Sequence, residues 1–404
     1  MDFEVLIMGC DANAYYMARC THEEYGKKAW LIAKEEMAFT KFSDILNITY
    51  EPNLWDENTF LEAIYKFKKE HSDKTILLIS SNENYARFIA KNEKKLAKDF
   101  VFNYADLDIL SSLIMKDNFY AKYKDFDIDM PKTLIYSCKK EKNLILDGFV
   151  YPIIIKPADV IEYYKHKFPG MRKVYRLNSI EEIVETIKEI KENGYEENLI
   201  IQEFIPGDDS ALFDCVFYCD RLGRAKLASF AQIGLQEHTK TAVGNATVLI
   251  NGFNEYGNPE ETILRLKKFM EKIKYKGWAE FDLKYDYRDQ KYKVFEINAR
   301  QGRSSYYVAA CGYNLVKYLV DDLINNKKLK FTIIKEEVGL SFVPKKIIKK
   351  YISNEKFKKE ILSLYKKKKV INPLSYKKDK GLKRKLFLIK FARDYTQKYK
   401  YSEW

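Results

Sequence analysis

The sequence predicts an α/β (α+β) protein: an open α/β domain first, mixed sheet-and-helix domains after it, and a basic, mainly helical C-terminal tail. Three observations carry that prediction. Apolar runs of strand length alternate with amphipathic runs of helix length over roughly the first 110 residues. Two segments, GWAEFDLKYD (277–286) and KYKVFEINAR (291–300), alternate with the two-residue period of strands around a short polar turn. Charge is also segregated. Residues 341–404 hold 21 Lys and Arg against 5 Asp and Glu, a net of +16; subtracting that from the chain's +13 leaves −3 elsewhere. At 404 residues the chain exceeds what one core usually serves, and the divisions expected are 1–110, 111–205, 206–335 and 336–404.

In chain order, FEVLIM (3–8) reads as a buried strand ending at Gly9, followed by a helix stopped at Gly26. AWLIA, ILNITY and KTILLIS are further strands, NTFLEAIYKFKKEH is a helix, and ENYARFIAKNEKKLAKDF reads as one more. Gly9 is not followed by G-x-G-x-x-G, so dinucleotide binding has weak support. Asp11 and Asn13 fall at the strand-end edge, where Asp11 reads at least as well as a helix N-cap. DLDILSSLIMKDNFYAKY is helical and carries Lys116, which alone could be a surface lysine. YPIIIKPAD (151–159) is a buried strand ending in Lys156-Pro157, and a lysine there can aim its ammonium inward.

SIEEIVETIKEIKENG is a helix, LIIQEF a strand running into IPGDD, and DCVFYCD and AKLASFAQIGLQ form a hairpin about RLGR. His238, a lone histidine in a loop, reads as structural or exposed before it reads as catalytic. After the helix PEETILRLKKFMEKIKYKG and the alternating pair, QGRSSYYVAA is a polar turn entering a helix. That turn sets Arg303, Ser304 and Ser305 at a helix N-terminus, which favours anions.

The alternating pair carries the chemistry. With YRDQ as the turn, Asp282 stands opposite Glu296 and Glu280 opposite Asn298, while Phe281 meets Ile297 and Leu283 meets Phe295 on the reverse face. Val294, Glu296, Asn298 and Arg300 then share one side. Like charges directly across a pair repel, so Asp282 and Glu296 imply a cation. Hard oxygen donors without His or Cys suit Mg2+ held by few protein ligands plus phosphates. A solvated hairpin is the bland alternative.

Six cysteines are scattered (Cys10, Cys20, Cys138, Cys215, Cys219 and Cys311), and no apolar run approaches about 18 residues. The expectation is a reduced, cytoplasmic chain without a membrane span. Cys215 and Cys219 lack a second ligand pair for zinc.

GWAEFD followed by FEINAR resembles the metal-binding end of the ATP-grasp superfamily, an acidic residue, a hairpin and then E-x-N. The resemblance implies an ATP-grasp fold, with two subdomains sandwiching the nucleotide behind an N-terminal domain whose strand-end loops help bind the acceptor. It implies ATP and two Mg2+ ions (Mn2+ as substitute) as cofactors, with Asp282, Glu296 and Asn298 as metal ligands. Lys116 matches a phosphate-contacting lysine and Lys156 one that contacts the α- and β-phosphates or adenine, Glu203, Phe204 and Ile205 match the hinge that reads adenine, and Asp209 the ribose-binding acid, with Asp208 as fallback. Arg300 would hold the γ-phosphoryl group and the acyl phosphate, and Arg303 would bind the carboxylate substrate or share that work. The chain departs from the family where a glycine-rich loop should follow Lys156: 159–177 contains only Gly170, so Arg172 or Lys173 would replace what glycines do elsewhere.

FEINARQGRSSYY, the Lys-Pro strand followed by YYKHKFPG, and the NPLSYKKD tail are most similar to carboxylate–amine ligases of the D-aspartate ligase group. That resemblance implies activation of an amino-acid carboxylate, D-aspartate, as an acyl phosphate and its transfer to the lysine amine of a peptidoglycan precursor. A small-molecule amino-acid ligase and a non-catalytic ATP-binding regulator are the alternatives. The tail reads as amphipathic helices, either a solvated basic face or one drawn to an acidic nucleotide- or lipid-linked acceptor or to the inner membrane surface. No nucleic-acid reader motif accompanies it.

Overall fold

Five parallel strands open the structure, a computed structural model that describes residues 2–140, 144–237 and 244–400. Their spatial order is Leu46–Tyr50, Ala29–Ala33, Phe3–Met8, Thr75–Ser80 and Phe100–Val101. Phe3–Met8 is central and covered on both faces, which explains its unbroken apolar run. The helix Ala12–Tyr25 starts where Asp11 accepts from the Ala14 amide at 3.0 Å and stops at Gly26, whose φ of 67° suits a residue without Cβ. Asp11 is therefore the N-cap.

The helix expected over 83–100 is shorter. It runs Glu83–Lys91, breaks at Asn92, resumes for Glu93–Leu96, and gives way to the edge strand Phe100–Val101. Asn92 turns its amide to the Phe88 carbonyl (3.0 Å) and Glu57 (2.8 Å), and Phe100 is drawn into the core beside Tyr65.

Four antiparallel strands form the second sheet, in the order Thr133–Ser137, Asn198–Glu203, Ile153–Pro157, Tyr175–Leu177. The helix Ile180–Glu192 covers it with Ile183, Ile187 and Ile190, one apolar stripe at helical spacing.

The third sheet has nine strands. Along its main path lie Lys291–Asn298, Gly277–Asp286, Leu212–Cys219, Ala231–Gln236, Ala246–Asn251, Val338–Ser341 and Val370–Ile371, with Ala225–Ala228 and Thr332–Ile333 off the path. The last two strands of that path lie within 336–404, the span expected as a basic C-terminal extension. Val338–Ser341 pairs with Ala246–Asn251, and Val370–Ile371 pairs with Val338–Ser341. Phe357, Ile361 and Leu364 then pack on Leu235, Val248 and Ile250 of the sheet. The expected helices are present at Lys345–Tyr351, Glu355–Lys366 and Leu382–Lys400.

Arg384, fully buried, locks the last helix to the first domain. Its guanidinium lies 3.5 Å from Asp379, donates to the Lys41 carbonyl at 2.8 Å and covers the Tyr15 ring. Asp379 also accepts from Tyr15, Ser43 and the Asp44 amide. Among the described residues no helix is long and apolar enough to cross a membrane.

Candidate active site

Lys116, Lys156, Glu203, Phe204, Ile205, Asp209, Asp282, Glu296, Asn298, Arg300 and Arg303 all line one cleft of about 860 Å3. Its floor is the edge of the nine-stranded sheet and its roof the four-stranded one. On the floor, Asp282 pairs with Glu296 and Glu280 with Asn298, as the alternation predicts.

Leu283, however, meets Val294 rather than Phe295. A β-bulge at Phe295 reverses the parity of everything before Glu296, so Val294 joins the core and Phe295 turns into the cleft. The bulge is held by distant groups: the Val294 amide donates to the Asp129 carbonyl (2.8 Å) and the Tyr120 hydroxyl to the Phe295 carbonyl (2.7 Å).

Two buried lysines face this floor. Lys116 is no surface residue, for its ammonium sits 2.9 Å from Glu296. Lys156 is aimed inward and stands 5.7 Å from the Tyr120 and Phe295 ring centres. Burial, then the charge of Lys116, lowers the Lys156 ammonium to about 7. Burial opposes ionisation of Glu296 too, but Lys116, Lys173 and Lys156 together hold its carboxyl at about 2. Asp282 goes the other way: burial and the carboxylates of Glu280 and Glu296 push it well up. Two acids face to face with opposite shifts are a site short of positive charge.

The donors available to a cation are two carboxylates and the Asn298 amide, whose Nδ2 is turned to Asp282 at 3.2 Å. Among the described residues no three acidic, His or Cys side chains converge into a metal cage. The set is all oxygen and incomplete by itself, which fits Mg2+ that completes its octahedron with phosphate oxygens and water. Cys215 and Cys219 are free and buried in the apolar core.

Beyond the acids, Arg300 pairs with Glu83 at 2.9 Å and donates to the Gln301 carbonyl. Arg303 reaches Glu237 (3.2 Å) and the Tyr395 hydroxyl (2.8 Å). Each keeps a buried Nε without a hydrogen-bond partner among the described residues. Such guanidinium groups at a cleft wall suit an anion with several oxygens. Ser304 and Ser305 turn away from such an anion and donate to Asp214 and Glu280. Gly302 lies so close to Glu280 that a Cβ would come within 1.7 Å of its Oε1.

At the other end, the Glu203 carboxylate is occupied by the Lys132 amide, Lys293 and Arg288. The Phe204 ring lies under the Arg176 guanidinium at 4.3 Å. Asp209 accepts from the Gln236 amide (3.0 Å) and side chain (2.7 Å), and Asp208 caps the short turn at Ser210. Arg172, Lys173 and Arg176 line the roof where the glycine-rich loop is missing. His238 lies outside the described residues.

Sequence reasoning missed Glu83, Asp214 and Arg176. Asp214 carried a signal, an acid inside the otherwise apolar strand Leu212–Cys219, opposite Asp282. Glu83 carried none, since its place depends on how two sheets meet.

Comparison with known proteins now decides the family. No protein-family model matches the chain. A D-aspartate ligase of Enterococcus faecium (strain Aus0004) is 33% identical over 415 residues, covering 99% of this chain and 96% of that protein. The chain belongs to the D-aspartate ligase family. It is an ATP-grasp ligase that joins a carboxylate to an amine at the expense of ATP. Solved structures agree on the ATP-grasp fold. The Staphylococcus aureus N5-carboxyaminoimidazole synthetase complexed with ADP superposes with a TM-score of 0.62 at 13% identity, over 90% of this chain and 87% of that one. The L-amino acid ligase of Bacillus licheniformis superposes at 0.56 with 15% identity, over 80% and 74%. The cleft brings together buried lysines, an acidic floor and two guanidinium groups.

Proposed function

We propose that this ligase activates D-aspartate and joins it to the lysine side-chain amine of a peptidoglycan precursor in the cytoplasm. The observation that carries this reading is similarity to a D-aspartate ligase along 99% of the chain, together with one cleft that gathers all the candidate residues.

In this reading the hinge at Glu203–Ile205 presents backbone to adenine and Asp209 meets the ribose hydroxyls. Lys116 and Lys156 lie against the phosphates. Asp282, Glu296 and Asn298 would hold Mg2+, which neutralises charge on the phosphates. Arg303 binds the free carboxylate of the amino acid, and Arg300 faces the γ-phosphoryl group. A carboxylate oxygen of the substrate attacks Pγ, and the bond from Pγ to the bridging oxygen breaks to release ADP. The amine nitrogen of the acceptor then attacks the acyl carbon, and the C–O bond to phosphate breaks. The protein's part is placement and charge neutralisation, the large terms in phosphoryl transfer. The basic residues of the tail suit an acidic, nucleotide-linked or lipid-linked acceptor.

The test is phosphate release from ATP and Mg2+ with D- and L-amino acids, each with and without a muramyl-pentapeptide nucleotide. Release that requires both D-aspartate and the peptide supports the assignment. Release with another acid and a small amine keeps the ligase and removes the cell-wall acceptor.

A further inference from the structure

The last helix, Leu382–Lys400, has two unlike faces. Inward it presents Arg384, Tyr395 and Tyr399, all buried. Outward, Leu382, Leu386 and Ile389 follow one another at i, i+4 and i+7, and they are 73%, 59% and 54% exposed. Three large aliphatic side chains in one stripe, each more than half in water, are poorly placed for a monomer's own stability.

The stripe continues onto the neighbouring loop. Phe42 is exposed and its ring stands 6.0 Å from Phe387. The loop is tied to the helix by the Arg384–Lys41 and Gly381–Asp44 hydrogen bonds. Phe42 has a φ of 58°, a left-handed conformation unusual for an aromatic residue, in a side chain held outward.

Charge identifies the partner. From 377 to 393 the exposed ionisable residues are Lys377, Lys378, Lys380, Lys383, Lys385, Lys390 and Arg393. The acid of that span, Asp379, is buried against Arg384. An apolar stripe edged by lysines complements a surface that is anionic outside and apolar just beneath. From this we infer that the outer face of Leu382–Arg393, with Phe42, docks the enzyme on an anionic lipid bilayer. Leu382, Leu386, Ile389 and Phe42 enter the acyl boundary and the lysines meet headgroup phosphates. The same helix holds Arg303 through Tyr395, so docking sets the cleft beside the membrane. This inference does not depend on which amino acid or acceptor the cleft uses.

The test is co-sedimentation of the full chain with phosphatidylglycerol-containing vesicles and with pure phosphatidylcholine vesicles. Binding is expected to the first alone, weakening as salt rises. The double variant Leu386→Asp, Ile389→Asp should lower vesicle affinity by about tenfold or more, because it removes inserted apolar surface and adds repulsion. Each Lys383, Lys385 or Lys390→Gln change should lower it by about fivefold. Both sets lie on the outer face, so unchanged thermal unfolding separates lost docking from lost folding. Equal binding to neutral vesicles overturns the inference, as does binding unaffected by the double variant. Failure to bind vesicles, with or without a dimer in sedimentation velocity that the double variant dissolves, also overturns it.

Discussion

ATP binding should carry a proton into the protein, and Lys156 should be where it goes. Burial and the nearby Lys116 hold the free ammonium at about 7. A nucleotide phosphate against Nζ restores the charged form, since an opposite charge within a few ångströms favours ionisation. At about pH 8 the free lysine is then about one-tenth protonated, so binding should take up about 0.9 proton; at about pH 6 the uptake should fall to about 0.1. The sign follows from linkage. The bound state holds more protons, so affinity drops as pH rises past about 7, by about tenfold or ~1.4 kcal/mol per unit. Isothermal titration of ADP in buffers of different ionisation enthalpy measures the uptake directly. Lys156→Met should abolish it and cost about 1.5–3 kcal/mol of affinity, the range for a hydrogen bond to a charged group. No uptake in the native chain at about pH 8, or equal uptake in Lys156→Met, refutes the reasoning.

Other changes have equally definite outcomes. Glu296→Gln should lower ligase turnover by about 100-fold or more while the chain stays folded, read by phosphate release beside circular dichroism. Arg303→Met should raise KM for the amino-acid substrate with a smaller change in nucleotide affinity, because its guanidinium is held by Glu237 and Tyr395 and not by the hinge segment Glu203–Ile205. Gly302→Ala forces a methyl group against Glu280 and should cut activity together with thermal stability. Asp379→Ala strips the buried Arg384 of its carboxylate and should cost about 3–5 kcal/mol in urea unfolding.

The acidic floor of the cleft was legible because two constraints met in one register. Sliding the 277–286 and 291–298 segments by one residue would expose Phe281 and Ile297 and bury Asp282 and Glu296, so alternation fixes the parity and the YRDQ turn fixes the register. The bulge at Phe295 was not legible, because what holds it is Tyr120 and the Asp129 carbonyl, more than 160 positions away. Lys116 was ambiguous for the same reason: only Glu296, 180 residues on, separates a buried ion pair from a surface lysine.

The tail was less legible for a different reason. A count of 21 basic residues describes composition, while folding reads phase. Arg384, Leu388, Phe391, Tyr395 and Tyr399 keep helical spacing along one face, and three of them are buried although lysines separate them in sequence. The strands that bind this region to the large sheet are four and two residues long, below what a period-two pattern can reveal. Removing 341–404 would therefore clip Val338–Ser341 at its last residue, take away its partner Val370–Ile371 and uncover Leu235, Val248 and Ile250, so loss of activity in such a truncation would report lost folding before it reported a lost acceptor. The outer-face substitutions at Leu386 and Ile389 avoid that confusion, because they alter what the helix shows to its surroundings and leave its buried face intact.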